Sequence, residues 1–182
     1  MIAIMFASLM ALPGIHRRFV AGTFLFHRGD PVTHIMVVLS GEVRLIRHQS
    51  DGRMVTLQRA AGNSLVAEAS LLSDSYHCDG VVTSEATVRF IDRSAVRQRF
   101  DSDPGFASLW VQHLAREIRD ARLRAEILSL RRIKERLDAW LAWHERLPAR
   151  GDWKRVAEDI GVSPEALYRE IARRRRSGKE RC

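Results

Sequence analysis

The sequence predicts an α+β chain: an antiparallel β-barrel or sandwich first, then one long helix, then a compact pair of short helices. Three observations predict this. Glycines recur about every ten residues between short β-branched runs from residue 17 to 92. Residues 106–147 hold neither glycine nor proline, and residues 152–176 read as two helical segments around a glycine. At 182 residues and 46% hydrophobic, the chain can bury one medium core or two small ones.

Residues 1–12, MIAIMFASLMAL, are almost entirely apolar. The run is too short to span a bilayer and lacks the positive start of a secretion signal, so a helix or loop packed on the core is expected. The strand candidates are AGTFLF, HIMVVL, VRLIRH, MVTLQ, GVVT and TVRFID. Turns are expected between them at Arg28-Gly29-Asp30, Ser40-Gly41-Glu42, Asp51-Gly52-Arg53 and Ala61-Gly62-Asn63. Asp51-Gly52 is the best hairpin signal, because both residues tolerate positive φ.

After Asp103-Pro104-Gly105 the texture changes, and the glycine-free stretch to 147 predicts a helix of about 60 Å. Leu114, Ile118, Ala121, Ala125 and Leu128 are spaced 4, 3, 4, 3 along it, the pattern of a narrow apolar seam. The seam fits a second copy of the chain; packing on the chain's own barrel is the plainer alternative.

Residues 152–176, DWKRVAEDIGVSPEALYREIARRRR, suggest two helices around a tight turn at Gly161. Val156, Ala157 and Ile160 would form the inner face of the first. Ser163-Pro164-Glu165 opens the second well, with a capping hydroxyl, a proline at the first helical position and a carboxylate at the positive end. The spacing is that of a DNA-binding helix-turn-helix, with an ordinary helical hairpin as the structural alternative.

Charge divides the chain in the same place. Residues 1–110 hold 11 basic and 10 acidic side chains, and residues 111–182 hold 19 and 12, within a net charge of +8. A neutral front and a basic back suggest that the back meets a polyanion. Two cysteines, Cys78 and Cys182, make no disulfide framework and fit a reducing, cytoplasmic setting. No Gly-rich phosphate loop, metalloprotease helix or nucleophile elbow is present, so no enzyme is expected.

The order of barrel, long helix and helix-turn-helix resembles the Crp/Fnr family of bacterial transcription regulators. The resemblance covers residues 17–175 or so and rests on HRGD (27–30), LSGEVRLI (39–46), the frame from Gly62 to Glu68, and GVSPEALYR (161–169). It implies a jelly-roll sensor barrel of cyclic-nucleotide-binding type over 1–105, a dimerisation helix over 106–147 and a DNA-binding end over 148–182. It also implies a homodimer on double-stranded DNA, with a small-molecule, redox or metal effector, RNA polymerase as a further partner and no membrane role.

In nucleotide-binding relatives a glutamate holds the ribose, and an arginine with a serine or threonine holds the cyclic phosphate. Glu68 matches the glutamate, while Cys78 and Asp79 stand at the phosphate positions and Ala67 at a glycine position. A thiol beside a carboxylate offers no cationic fork, so an effector other than cyclic AMP is expected. The helix positions that would meet the base are Ala121 and Arg122.

His77 lies between Tyr76 and Cys78, and strand alternation puts it on the opposite face with Asp79. Three readings of Cys78 stay open. It is a redox or metal-ligating thiol helped by His27, His34 or His113; a ligand to haem or another cofactor, whose identity the residues leave unknown; or a small buried residue in place of the arginine.

At the DNA end, the resemblance gives Glu165 and Arg169 to base edges, with Pro164 where the family has an arginine. Arg173, Arg174, Arg175 and Arg176, with Lys179 and Arg181, are given to phosphates; a disordered basic tail is the alternative. Glu170 stands at a position usually apolar, and SGKERC after the arginines is too short for the family's β-hairpin wing, so a helix-turn-helix without a full wing is expected. The other functional class compatible with these residues is a ligand-binding or protein-interaction module whose DNA-reading end has decayed.

Overall fold

A computed structural model describes residues 2–176, so Lys179, Arg181, Cys182 and the stretch judged too short for a wing lie outside the described residues. The chain forms two compact units, divided between Leu114 and Ala115.

The first unit begins with α1 (Ile2–Met10), whose Met5 and Leu9 are buried, as the apolar start predicts. Six strands follow: β1 (Gly14–Phe19), β2 (Phe24–Phe26), β3 (His34–His48), β4 (Met54–Ala61), β5 (Ser64–Val66) and β6 (Asp79–Asp92). They form one antiparallel sheet in the order β1-β6-β3-β4, with β2 on β6 and β5 on β3. The sheet is open. The expected closed barrel is therefore corrected: β1 and β4 end the hydrogen-bonded path, and no pairing between them is present among the described residues.

Two long strands replace four expected short ones. HIMVVL and VRLIRH are both in β3, and GVVT and TVRFID are both in β6. Ser40-Gly41-Glu42 is thus no turn but an irregularity within β3, where the register against β6 shifts. Its effect shows in which side chains face the core. Before Gly41, Met36 and Val38 join the core that holds Phe26, Tyr76 and Val88, while Ile35 and Val37 face the other core, with α1, Phe106 and Trp110. After Gly41 the odd residues Val43 and Leu45 face the first core. Three register shifts lie between Val38 and Val43, where β3 advances five residues against six of β6, and the parity of β3 switches as it does across a bulge. The other expected turns hold. Gly52 N donates to Gln49 O at 3.0 Å in the β3–β4 hairpin, and Gly62 and Asn63 link β4 to β5.

Helices α2 (Arg93–Ser102) and α3 (Pro104–Ser129) follow the sheet. Asp103 opens α3: its carboxylate accepts from Phe106 N at 3.1 Å, and Pro104 takes a position where no N–H is needed. That hydrogen bond, more than any other contact, holds the Asp103 carboxyl below the usual carboxylate range.

The expected unbroken helix over 106–147 is also corrected. α3 ends at Ser129, and α4 (Ile133–His144) is a separate helix. The interruption has no glycine or proline. Arg132 is extended, and its N–H donates to the Glu135 carboxylate at 3.2 Å, so a new N-terminus forms there. The end of α3 is closed from the other side by Arg136, which donates to Leu128 O at 3.2 Å and to Leu130 O at 2.8 Å.

The second unit is completed by α5 (Trp153–Asp159) and α6 (Pro164–Arg176). Its core gathers Ile127, Leu137, Trp140, Trp153, Val156, Ala157, Ile160, Leu167 and Ile171, including the inner face expected of the first short helix.

Candidate effector cassette and nucleic-acid face

The cassette lies between β5 and β6. Ala67, at φ +58, adopts the left-handed conformation that favours glycine, and a 3-10 turn of Glu68–Leu72 follows. Glu68 is buried, with the Gln58 amide nitrogen 3.2 Å from each of its carboxylate oxygens. Tyr76 stacks on Phe26 at 3.8 Å between ring centres and donates its hydroxyl to His34 O at 2.9 Å.

His77 and Cys78 lie in a bend just before β6 rather than in a strand, and their side chains still part. Cys78 shares the core with Tyr76, and His77 is exposed. Asp79 is half-buried, and His77 O accepts from the Arg47 guanidinium at 2.9 Å. Cys78 is 1% exposed, and burial pushes its thiol from an ordinary 9.0 up to about 11, against a smaller opposing pull from Arg47. A thiol that stays protonated is a poor nucleophile and a poor metal ligand.

Asp79 is drawn the other way. Its Oδ1 accepts from Arg28 N at 2.9 Å, and the Nδ1 atoms of His27 and His48 stand 3.4 and 3.5 Å from its two oxygens. The Arg28 N–H is the largest cause that keeps this carboxyl low, so it is ionised at neutral pH. His27 is thereby turned to Asp79, and His34 lies 3.8 Å from Asp92. His113 is buried on α3. Among the described residues no three His, Cys, Asp or Glu side chains gather as a metal site. Ala121 and Arg122 are both exposed on α3 in the second unit.

The thiol's state is directly measurable. In a Cys182→Ser variant, iodoacetamide at pH 8 should label folded protein roughly a hundredfold more slowly than unfolded protein, because two pKa units remove most of the thiolate. Labelling at the unfolded rate would show that Cys78 is accessible and reactive. The same shift gives a stability contribution present below pH 9 and lost as pH rises toward about 11.

In the second unit, Gly161 takes φ +65 and Val162 N donates to Ala157 O at 2.9 Å, which turns the chain between α5 and α6. Ser163 Oγ accepts from Ala166 N at 3.2 Å, the cap that the Ser-Pro-Glu start predicts. Leu167 and Ile171 face the core; Glu165, Tyr168, Arg169, Arg173 and Arg176 are exposed. Arg169 helps to keep the Glu165 carboxyl low, after a hydrogen bond from Glu165's own backbone and one with Ser163.

The arginine run is not uniform. Glu170 takes Arg173 at 2.7 Å and Arg174 at 2.9 Å. Arg174 also meets Asp138 at 2.9 Å and donates to Lys134 O at 3.0 Å, tying α6 to α4. Arg175 lies over the Trp153 ring at 5.4 Å. Glu170, the polar intrusion of the sequence pattern, is thus an anchor for its neighbours. Arg176 is exposed, and no ion pair joins it to another described residue.

Along α3, Ile118 and Leu128 are 51% and 41% exposed, and Ala121 and Ala125 are exposed too. Leu114 is half-buried against the first unit's core. No helix among the described residues is long and apolar enough to cross a membrane.

Residues 16–103 match the family model of the cyclic nucleotide-binding domain. No curated protein matches the chain in sequence. Solved structures do match in fold. FixK2 from Bradyrhizobium japonicum is 18% identical with a TM-score of 0.71, covering 92% of this chain and 87% of that one. The c-di-GMP-responsive global regulator CLP of Xanthomonas campestris is 20% identical with a TM-score of 0.65, covering 97% and 92%. A CRP/FNR-family transcriptional regulator from Thermus thermophilus, TTHA1359, is 22% identical with a TM-score of 0.61, covering 90% and 87%. Residues 16–103, the open sheet with its cassette between β5 and β6, are thus similar to the cyclic nucleotide-binding domain, and the chain has the fold of solved CRP/FNR regulators.

Proposed function

We propose that the protein is a sequence-specific DNA-binding transcription regulator that acts in the cytoplasm as a homodimer, with its sheet unit taking an effector other than cyclic AMP. The observation that carries this reading is the exposed face of α6. Glu165, Arg169, Arg173 and Arg176 follow one another at spacings of four, four and three on a helix opened by Ser163. Glu165 accepts from a cytosine amino group, Arg169 donates twice to guanine, and the later arginines meet phosphates. Pro164 removes one base reader, so the preferred site differs from one read by an arginine there. The exposed line Ile118, Ala121, Ala125, Leu128 is the surface on which two copies pair.

The cassette supports the effector half. Glu68 and Asp79 bring two carboxylates to the positions at issue, and neither Cys78 nor Asp79 supplies a cation for a phosphodiester. An effector bound near Cys78 would favour one of two packings of the dimer and so set the separation of the two α6 helices.

Selection of duplexes from a random pool with the full chain tests the DNA half. The expected result is a two-fold symmetric site with half-sites about 34–36 Å apart, bound in ~0.2 M salt. If every duplex is released by that salt, the chain is an interaction module rather than a regulator that reads sequence. Titration with cyclic AMP tests the cassette: no binding is expected, and micromolar binding would overturn this account of Cys78 and Asp79.

A further inference from the structure

Helix α3 carries a charge of each sign beside its exposed apolar line, and their places follow a heptad. Ile118 and Ala125 occupy one seam position, and Ala121 and Leu128 the other. In that frame Glu117 immediately precedes Ile118, and Arg122 immediately follows Ala121. These are the two positions that flank a two-stranded seam. When two such helices run parallel, the first flanking residue of one faces the second flanking residue of the other, five places further along. Glu117 and Arg122 are five places apart. The corresponding pairs one heptad away are Trp110 with Ala115 and Arg124 with Ser129, neither of them oppositely charged.

Arg122 has no ion pair with another described residue and is exposed, so its guanidinium is available at the edge of the seam. Glu117 is half-buried on the adjoining flank. We propose that Glu117 of each copy pairs with Arg122 of the other, so that the two contacts fix the α3 helices parallel and in register. Arg122, a candidate effector contact by sequence, becomes a residue that selects the chain's own partner. This inference rests on the homodimer proposed above and adds to it the residues that set its register.

Charge reversal tests it. Sedimentation equilibrium should find the Glu117→Arg and Arg122→Glu homodimers each at least about tenfold weaker than the wild type, since like charges then meet twice. The double variant should return to within about threefold of the wild type. Mixing the two single variants should give heterodimers in preference to either homodimer, because both contacts then join opposite charges. That rescue separates an interchain pair from a fault within one chain, and far-UV circular dichroism checks that each variant is folded. Single variants as tight as wild type, or a mixture with no preference for heterodimer, would overturn the pairing. A wild-type chain that stays monomeric at micromolar concentration would remove the homodimer itself, a separate result.

Discussion

Gly41→Ala is expected to destabilise the sheet unit by about 4 kcal/mol or more, enough to leave a domain of ordinary stability largely unfolded. Gly41 lies inside β3 at φ +79, where an L side chain is strained. Space is the larger problem. A Cβ there would stand 2.1 Å from Glu85 O and 2.6 Å from Ala86 Cα, and both atoms are backbone of the neighbouring β6. No rotamer change relieves that overlap. Either β3 and β6 part at the centre of the sheet, or the bulge is lost and the parity of Val43 and Leu45 reverses. Turning each of those side chains to solvent forfeits roughly 1.5–3 kcal/mol.

A control separates strain from collision. Gly52 has nearly the same φ, +81, but nothing lies within 4 Å of the Cβ it would acquire. Gly52→Ala should therefore cost only about 1 kcal/mol. Urea unfolding followed by far-UV circular dichroism compares the two. Equal losses would show that backbone conformation, rather than contact with β6, is what Gly41 provides.

The same residue shows where sequence reading runs out. Ser-Gly-Glu between two apolar runs looks alike in a turn and in a bulge; the difference is whether the strand's neighbour continues past it. That neighbour, residues 85–86, is more than forty places away. Alternation, by contrast, is local. It placed Tyr76 and Cys78 on one face and His77 on the other, and their burial agrees, although 77–78 form a bend before β6 rather than part of a strand. It could not find His27 and His48 beside Asp79, because those residues come from the ends of other strands. Glu170 was visible as an oddity in an apolar position. Its purpose was not, since Asp138 and Lys134 of α4 complete the network.

The break between α3 and α4 was illegible for the same reason, and it leads to the second large effect. Residues 129–133 contain no helix breaker, so the break depends on Arg136 reaching groups distant in sequence. Its guanidinium donates to Leu128 O and Leu130 O at the end of α3, and to Ile160 O and Gly161 O, each at 3.1 Å, in the turn before α6. One planar cation thus satisfies carbonyls from two segments and ties the end of α3 to the turn that precedes α6. Arg136→Met keeps the aliphatic stem and removes every donor. Hydrogen bonds to a charged group are worth about 1.5–3 kcal/mol each, but water can reach part of this half-exposed cluster, so a net loss of about 3 kcal/mol is expected. For a unit of this size that lowers its melting temperature by roughly 10–20 °C. Tryptophan fluorescence follows the transition, because Trp140, Trp143 and Trp153 all belong to the second unit. Arg136→Lys should recover only part of the loss, since an ammonium cannot span four carbonyls in two directions. Affinity for the selected duplex should fall in the same order, Met below Lys below wild type. A Met variant within 1 kcal/mol of wild type and equally tight on DNA would mean that the turn is held by Val156, Ile160 and Leu167 packing alone.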